Sequence, residues 1–151
     1  MPILSKNKEA FNEIGVEVIV SDNNVLNICN DKWRTYKFLE KNNIKTPKTY
    51  LNYDHAIKAL KNNEISYPVI IKPRWGMGSI SIFEAENEDE LRILYRKTKN
   101  KILDTYLKYE SSYDIEKSVI IQEKIIAQEY GLDIINDFSK RMTSASSKTP
   151  G

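Results

Sequence analysis

Two cations and two glycines crowd the stretch YPVIIKPRWGMGSISIF, residues 67–83. Lys72 and Arg74 come first, Gly76, Met77, Gly78 and Ser79 follow, and a second apolar run holds Ile80, Ile82 and Phe83. Glycine lets a backbone take positive φ and approach a ligand with no Cβ in the way. Successive N–H groups in such a loop cradle an anion, and with two cations beside them the expected guest is phosphate. The β-branched run Val69–Ile71 predicts a buried strand entering the loop, and the half-alternation after it predicts a strand leaving.

The order of these parts separates phosphate loops. A P-loop needs GxxxxGKS or GxxxxGKT opening a helix, and no such string occurs. A dinucleotide fingerprint needs a third glycine and a following helix, whereas residues 79–82 alternate like a strand. A protein-kinase loop places its lysine after the glycines, not before. What remains is a strand-loop-strand flap with its lysine on the incoming strand. Taken alone, the loop fits an ordinary hairpin with a basic corner equally well.

Composition bounds the partners. The 151 residues allow one domain of ordinary size or parts of two, and 40% apolar with 29% charged residues is a globular composition. The 23 basic residues are interleaved with 21 acidic ones to a net charge of +2, which argues against nucleic acid. One cysteine, Cys29, excludes an internal disulfide framework and suits a reducing compartment, hence a cytoplasmic expectation. No apolar run has membrane-span length, so no membrane partner is expected. His55, the only histidine, sits beside Asp54 at a helix start and reads as solvated surface.

These elements must position the loop. A helix end at Asn7–Ile14 and a strand at 16–20 are expected, then a turn at 21–24 and an apolar link from Val25 to Cys29. Asn30 or Asp31 should cap a helix to Lys41 with Trp33, Tyr36 and Leu39 on one face. Lys32 falls in its first turn, a poor place for a cation beside the positive end of the dipole, and reads either as indifferent surface or as placed for an anion. Thr46–Pro47 sets an extended segment through Leu51. Asp54 is expected to cap the next helix, and Asn87 with Glu90 resembles a capping box for a long helix, unbroken or broken near Asn100. Residues 110–117 read as a polar loop, Val119–Ile121 as a buried strand, and a further strand is expected near Leu132. From Ser139 the chain reads as a loop or disordered tail, with sequence that need not be native.

Lys32 opening a helix, Thr46–Pro47 after it, YPVIIKPRWGMGS and VIIQEKIIAQEYGLD, in that order, resemble the ATP-grasp superfamily, with carbamoyl-phosphate synthase large-chain-like proteins as the expected nearest relatives. The resemblance covers roughly residues 16–137. It implies an α/β fold: an ATP-grasp small subdomain, with a mixed or antiparallel sheet covered by helices, followed by the first strands of the larger subdomain. Strands are expected near 49–51, 69–72, 80–84 and 119–122. The divisions are a remnant of a preceding α/β domain at 1–30, the small subdomain at 31–121, a hinge and large-subdomain start at 122–138, and the tail.

By position, the resemblance implies that Lys32 and Lys72 contact ATP phosphates and that Arg74, Gly76, Met77, Gly78 and Ser79 fold over the triphosphate. It implies that Gln122, Glu123, Lys124 and Ile125 meet adenine through backbone groups, and that Glu129 takes the ribose hydroxyls. The alternation of the hinge agrees, since it can face a purine and offer N–H and C=O to its edge. Ala127 stands where relatives usually have glycine. The family's magnesium ligands, an acid and a Glu-x-Asn pair, belong farther along than this sequence runs, so the chain looks like an enzyme cut at both ends, binding ATP weakly and catalytically incomplete alone. The implied function is an ATP-dependent ligase activating a carboxylate-type acceptor as an acyl phosphate for attack by a nucleophile such as an amine. The alternative is a nucleotide-binding or interaction module without turnover. Apolar ends at Val16, Val18, Ile19, Ile134 and Ile135 are expected to favour a homo-oligomer.

Overall fold

The computed structural model describes residues 2–76, 79–112, 114–136 and 142–148. Three short helices come first: α1 (Pro2–Lys6), α2 (Lys8–Glu13) and α3 (Asn23–Cys29). The strand expected at 16–20 does not form. The Val20 N–H donates to the Val18 carbonyl, a three-residue turn that no extended strand permits. From Asn23 onward, the turn and link expected at 21–29 are instead helix α3.

Next comes α4 (Lys32–Lys41), capped by Asp31, whose carboxylate accepts from the N–H groups of Trp33 and Arg34. Strand β1 (Thr49–Tyr50) leads to α5 (Tyr53–Lys61). Its cap is Asn52, not Asp54: the Asn52 side chain accepts from Asp54 and His55. Strand β2 (Val69–Pro73) enters the glycine loop, and β3 (Phe83–Ala85) leaves it later than the pattern predicts. Ser79 (φ 56°) and Ser81 (φ 58°) occupy the left-handed region, which breaks the extended run expected from Ile80. Helix α6 (Glu88–Leu103) runs unbroken through Asn100 and carries the expected cap: Asn87 Oδ1 accepts from the Glu90 N–H, while the Glu90 carboxylate accepts from the Asn87 side-chain amide and the Glu86 N–H. After α7 (Leu107–Ser111), a 3-10 turn at Ile115–Lys117 interrupts the expected polar loop.

Strand β4 (Val119–Glu123) completes a four-stranded antiparallel sheet in the order β1-β4-β2-β3. Strands β5 (Tyr130–Asn136) and β6 (Met142–Lys148) pair antiparallel as a separate two-stranded sheet. Residues 142–148, expected as loop or disorder, therefore form a strand. Their lack of apolar periodicity hid it, because backbone pairing with β5 needs none.

Period-two alternation gives the four-stranded sheet two different faces. Val69, Ile71, Ala85 and Ile121 point to one face and join Ala56, Ala59, Leu91 and Ile102 in the helix-covered core. Residues paired across strands point the same way, so Ile70, Lys72, Ile120, Gln122, Thr49 and Glu84 share the other face. That face carries a cation, an amide and a hydroxyl in register. Among the described residues no helix is long and apolar enough to cross a membrane.

Candidate phosphate-binding site

At the exit of β2 the chain is tied down on both sides. The Arg74 N–H donates to the Ser118 carbonyl at 2.8 Å, and the Arg74 carbonyl accepts from the Lys32 N–H at 3.2 Å. The Arg74 guanidinium grips Asp31 with both arms, Nε to Oδ1 at 2.8 Å and Nη2 to Oδ2 at 2.7 Å. Asp31 is only 4% exposed, so this is a largely desolvated bidentate pair. The guanidinium also lies 4.3 Å from the centre of the Trp75 ring. One carboxylate thus caps α4 and anchors the root of the glycine loop.

That anchor sets where Lys32 points. From the first turn of α4, its Nζ donates to the Gly76 carbonyl at 2.7 Å. Gly76 has φ +90°, and a Cβ there would run into Leu107 Cδ2, so the loop packs against α7 as only glycine allows. Lys72 arrives from the middle of the sheet. Its Nζ donates to Gln122 Oε1 at 2.6 Å, and burial pushes its pKa below the usual 10.5.

Lys32, Lys72, Trp75, Gly76, Ser79 and Leu107 are among the residues lining a cleft of about 300 Å³. Four expected site residues, Lys32, Lys72, Gly76 and Ser79, are therefore brought together. Met77 and Gly78 lie outside the described residues. Arg74 is committed to Asp31 and does not line the cleft. Gln122 meets it through Lys72. Glu123 exchanges backbone bonding with Lys48, its N–H donating to the Lys48 carbonyl at 2.9 Å and its carboxylate accepting from the Lys48 N–H at 3.1 Å. Lys124 pairs with Glu84 at 2.5 Å. Ile125 is 56% exposed and Glu129 is exposed. Asp31 as ion-pair partner, Thr49 behind Gln122, and Leu107 under the loop were not readable as site residues, because each acts across 31 residues or more of chain.

A cleft with two lysines, a positive helix end and a glycine turn suits a polyphosphate. A family model described as an ATP-grasp domain matches residues 29–147. The chain belongs to the ATP-grasp family. It is 40% identical over 79 residues to the coenzyme gamma-F420-2:alpha-L-glutamate ligase of Methanocaldococcus jannaschii, covering 51% of this chain and 26% of that protein. The arginine-specific carbamoyl phosphate synthase large chain of Bacillus subtilis is 23% identical over 129 residues, covering 85% of this chain and 11% of that protein. The carbamoyl-phosphate synthase likeness is thus the more distant of the two. Among solved structures, the ATP-grasp fold is shared with the biotin carboxylase domain of Hydrogenobacter thermophilus 2-oxoglutarate carboxylase, in complex with MgADP, ADP and bicarbonate. The TM-score is 0.69 at 20% identity, over 93% of this chain and 31% of that one. The matched part spans about a quarter of the length of the first of these relatives.

Proposed function

We propose that this chain supplies ATP-binding residues to a ligase that activates a carboxylate as an acyl phosphate and passes the acyl group to an amine. The observation that carries the reading is the convergence of Lys32 and Lys72, from a helix start and a central strand, on one cleft rimmed by Gly76 and Ser79. Lys72 is answered by a neutral amide, so its charge remains for an incoming anion. Lys32 bonds a loop carbonyl and so couples the phosphate side of the cleft to the loop above it. Met77, Gly78 and Ser79 would close over the phosphates, with Arg74 holding the root of that loop. The backbone from Gln122 to Ile125 would meet adenine, and Glu129 the ribose hydroxyls. In this reading residues 31–121 are the small subdomain, 122–138 the hinge and the start of the larger one, and 1–30 part of a preceding α/β unit.

The chemistry balances in two displacements. A carboxylate oxygen of the acceptor attacks the γ-phosphorus, the bond to the β–γ bridging oxygen breaks, and ADP leaves. The amine nitrogen then attacks the acyl carbon, inorganic phosphate departs with the electron pair, and the nitrogen gives up its extra proton to the departing phosphate or to water. In the first displacement Lys72 and Lys32 neutralise charge spreading over the phosphate oxygens, a positioning and electrostatic role. Magnesium, where bound, would share that charge. Among the described residues no group of three or more His, Cys, Asp or Glu is placed to hold a metal. The glutamate ligase name of the Methanocaldococcus relative supports an amino-acid amine as the nucleophile.

The test is ADP release, with magnesium, by the protein carrying this sequence, across a panel of carboxylates and amino acids. ADP formation that requires a carboxylate and yields an amide is expected. ADP formation indifferent to both would overturn the ligase reading.

A further inference from the structure

Lys72 does not stand alone on its sheet face. The Thr49 hydroxyl donates to the Pro47 carbonyl at 2.9 Å. A hydroxyl has one proton, so toward Gln122 it can only accept. It does so from Gln122 Nε2 at 2.8 Å, which turns Gln122 Oε1 toward Lys72 Nζ at 2.6 Å. The three side chains sit on adjacent strands in register, Thr49 opposite Gln122 on β1 and β4, and Gln122 opposite Ile70, two residues before Lys72, on β2. Each bond fixes the direction of the next.

We propose that Thr49 and Gln122 form a one-way hydrogen-bond chain that fixes the Lys72 ammonium at the cleft, so that both are positioning residues for a phosphate-bearing ligand. The direction matters because an amide has two faces. Without the Thr49 acceptor, Gln122 loses the contact that holds its NH₂ away from Lys72. A flipped amide would present donors to an ammonium, and the lysine would have to move. A neutral acceptor also does what a carboxylate would not: it holds the cation while leaving its charge uncancelled. This rests on the reading of Lys72 as a phosphate contact.

The experiment has two readouts. The sequence holds two glutamines, Gln122 and Gln128, so [15N]glutamine labelling gives two side-chain amide signals, assigned by Gln122→Asn. Thr49→Val and Lys72→Met should each shift the Gln122 amide and leave that of Gln128 in place. A Gln122 signal that ignores either substitution would overturn the chain, whether or not ATP binds. In the second readout, Thr49→Val should weaken ATP roughly 3- to 10-fold with adenosine unchanged, the size of one lost hydrogen bond passed through Gln122. Thr49→Ser, which restores the hydroxyl, should recover ATP binding. Equal losses for ATP and adenosine, or a serine variant no better than valine, would overturn the positioning role. Wild-type chain that fails to prefer ATP over adenosine would overturn the phosphate reading and this role with it. Coupled amide shifts in that same sample would show that the fault lay in the ligand and not in the hydrogen-bond chain.

Discussion

Arg74 and Lys72 stand two residues apart on one strand and its exit, and the fold treats them in opposite ways. Arg74 is met by a buried carboxylate that takes both arms of its fork. Lys72 is met by a neutral amide. The first cation is cancelled and serves as a fastener, joining the start of α4 to the root of the glycine loop. The second keeps its charge and faces a cleft. Cations placed near a site are therefore not equivalent candidates for an anion. The partner opposite each one tells them apart.

Breaking the fastener should have the largest effect. Asp31→Ala strips the buried partner from Arg74 and the cap from α4, at a cost of about 3–5 kcal/mol in urea unfolding. Asp31→Asn keeps a capping oxygen and should cost less; equal losses would mean that the ion pair, not the cap, is what matters. Next comes Gly76→Ala, where φ +90° and the collision with buried Leu107 predict a loss of about 1–3 kcal/mol in the same assay. An unchanged midpoint would show that the loop is not packed against α7 as described.

A third substitution would make Lys72 resemble Arg74. Gln122→Glu places a carboxylate beside the ammonium, and ATP affinity should fall about 10-fold by titration calorimetry, the cost of one charge-assisted contact already spent. An unchanged affinity would contradict the importance of the neutral partner. The pH dependence separates the pair further. Lys72 is held below 10.5 by burial, so its charge, and with it ATP affinity, should decline as pH rises toward that value, while Lys72→Arg stays flat. Its lowered pKa also means that the folded chain binds fewer protons than the unfolded chain in that window, so this group makes stability rise with pH there. The smallest effect belongs to a surface pair: Glu84→Ala, removing the half-exposed contact to Lys124, should change stability by less than about 0.5 kcal/mol.

Much of the frame was legible because local rules governed it. The Val69–Ile71 run, the Asn87–Glu90 cap and the Lys32 helix start each follow from neighbours within four residues. The 16–20 run failed because β-branched residues favour a strand only where another strand is there to pair, and the backbone turns at Val18–Val20 instead. Ile80 failed for the opposite reason, since its apolar spacing was right but two serines in the left-handed region break the extension. At the site, residue types were readable and partnerships were not. Arg74 reads as a phosphate contact by residue type alone, its Asp31 partner lies 43 residues earlier, and nothing local joins Thr49 to Gln122 across 73 residues.

The central claim is that Lys72 is a charge kept for phosphate, and one titration addresses it most directly. Calorimetry with ATP and with adenosine, on wild-type chain and on Lys72→Ala, compares a ligand that has phosphates with one that lacks them. The account predicts a loss of roughly 10- to 150-fold for ATP and no change for adenosine, the worth of one charge-assisted contact. An equal loss for both ligands would make Lys72 a structural residue like Arg74 and would contradict the account.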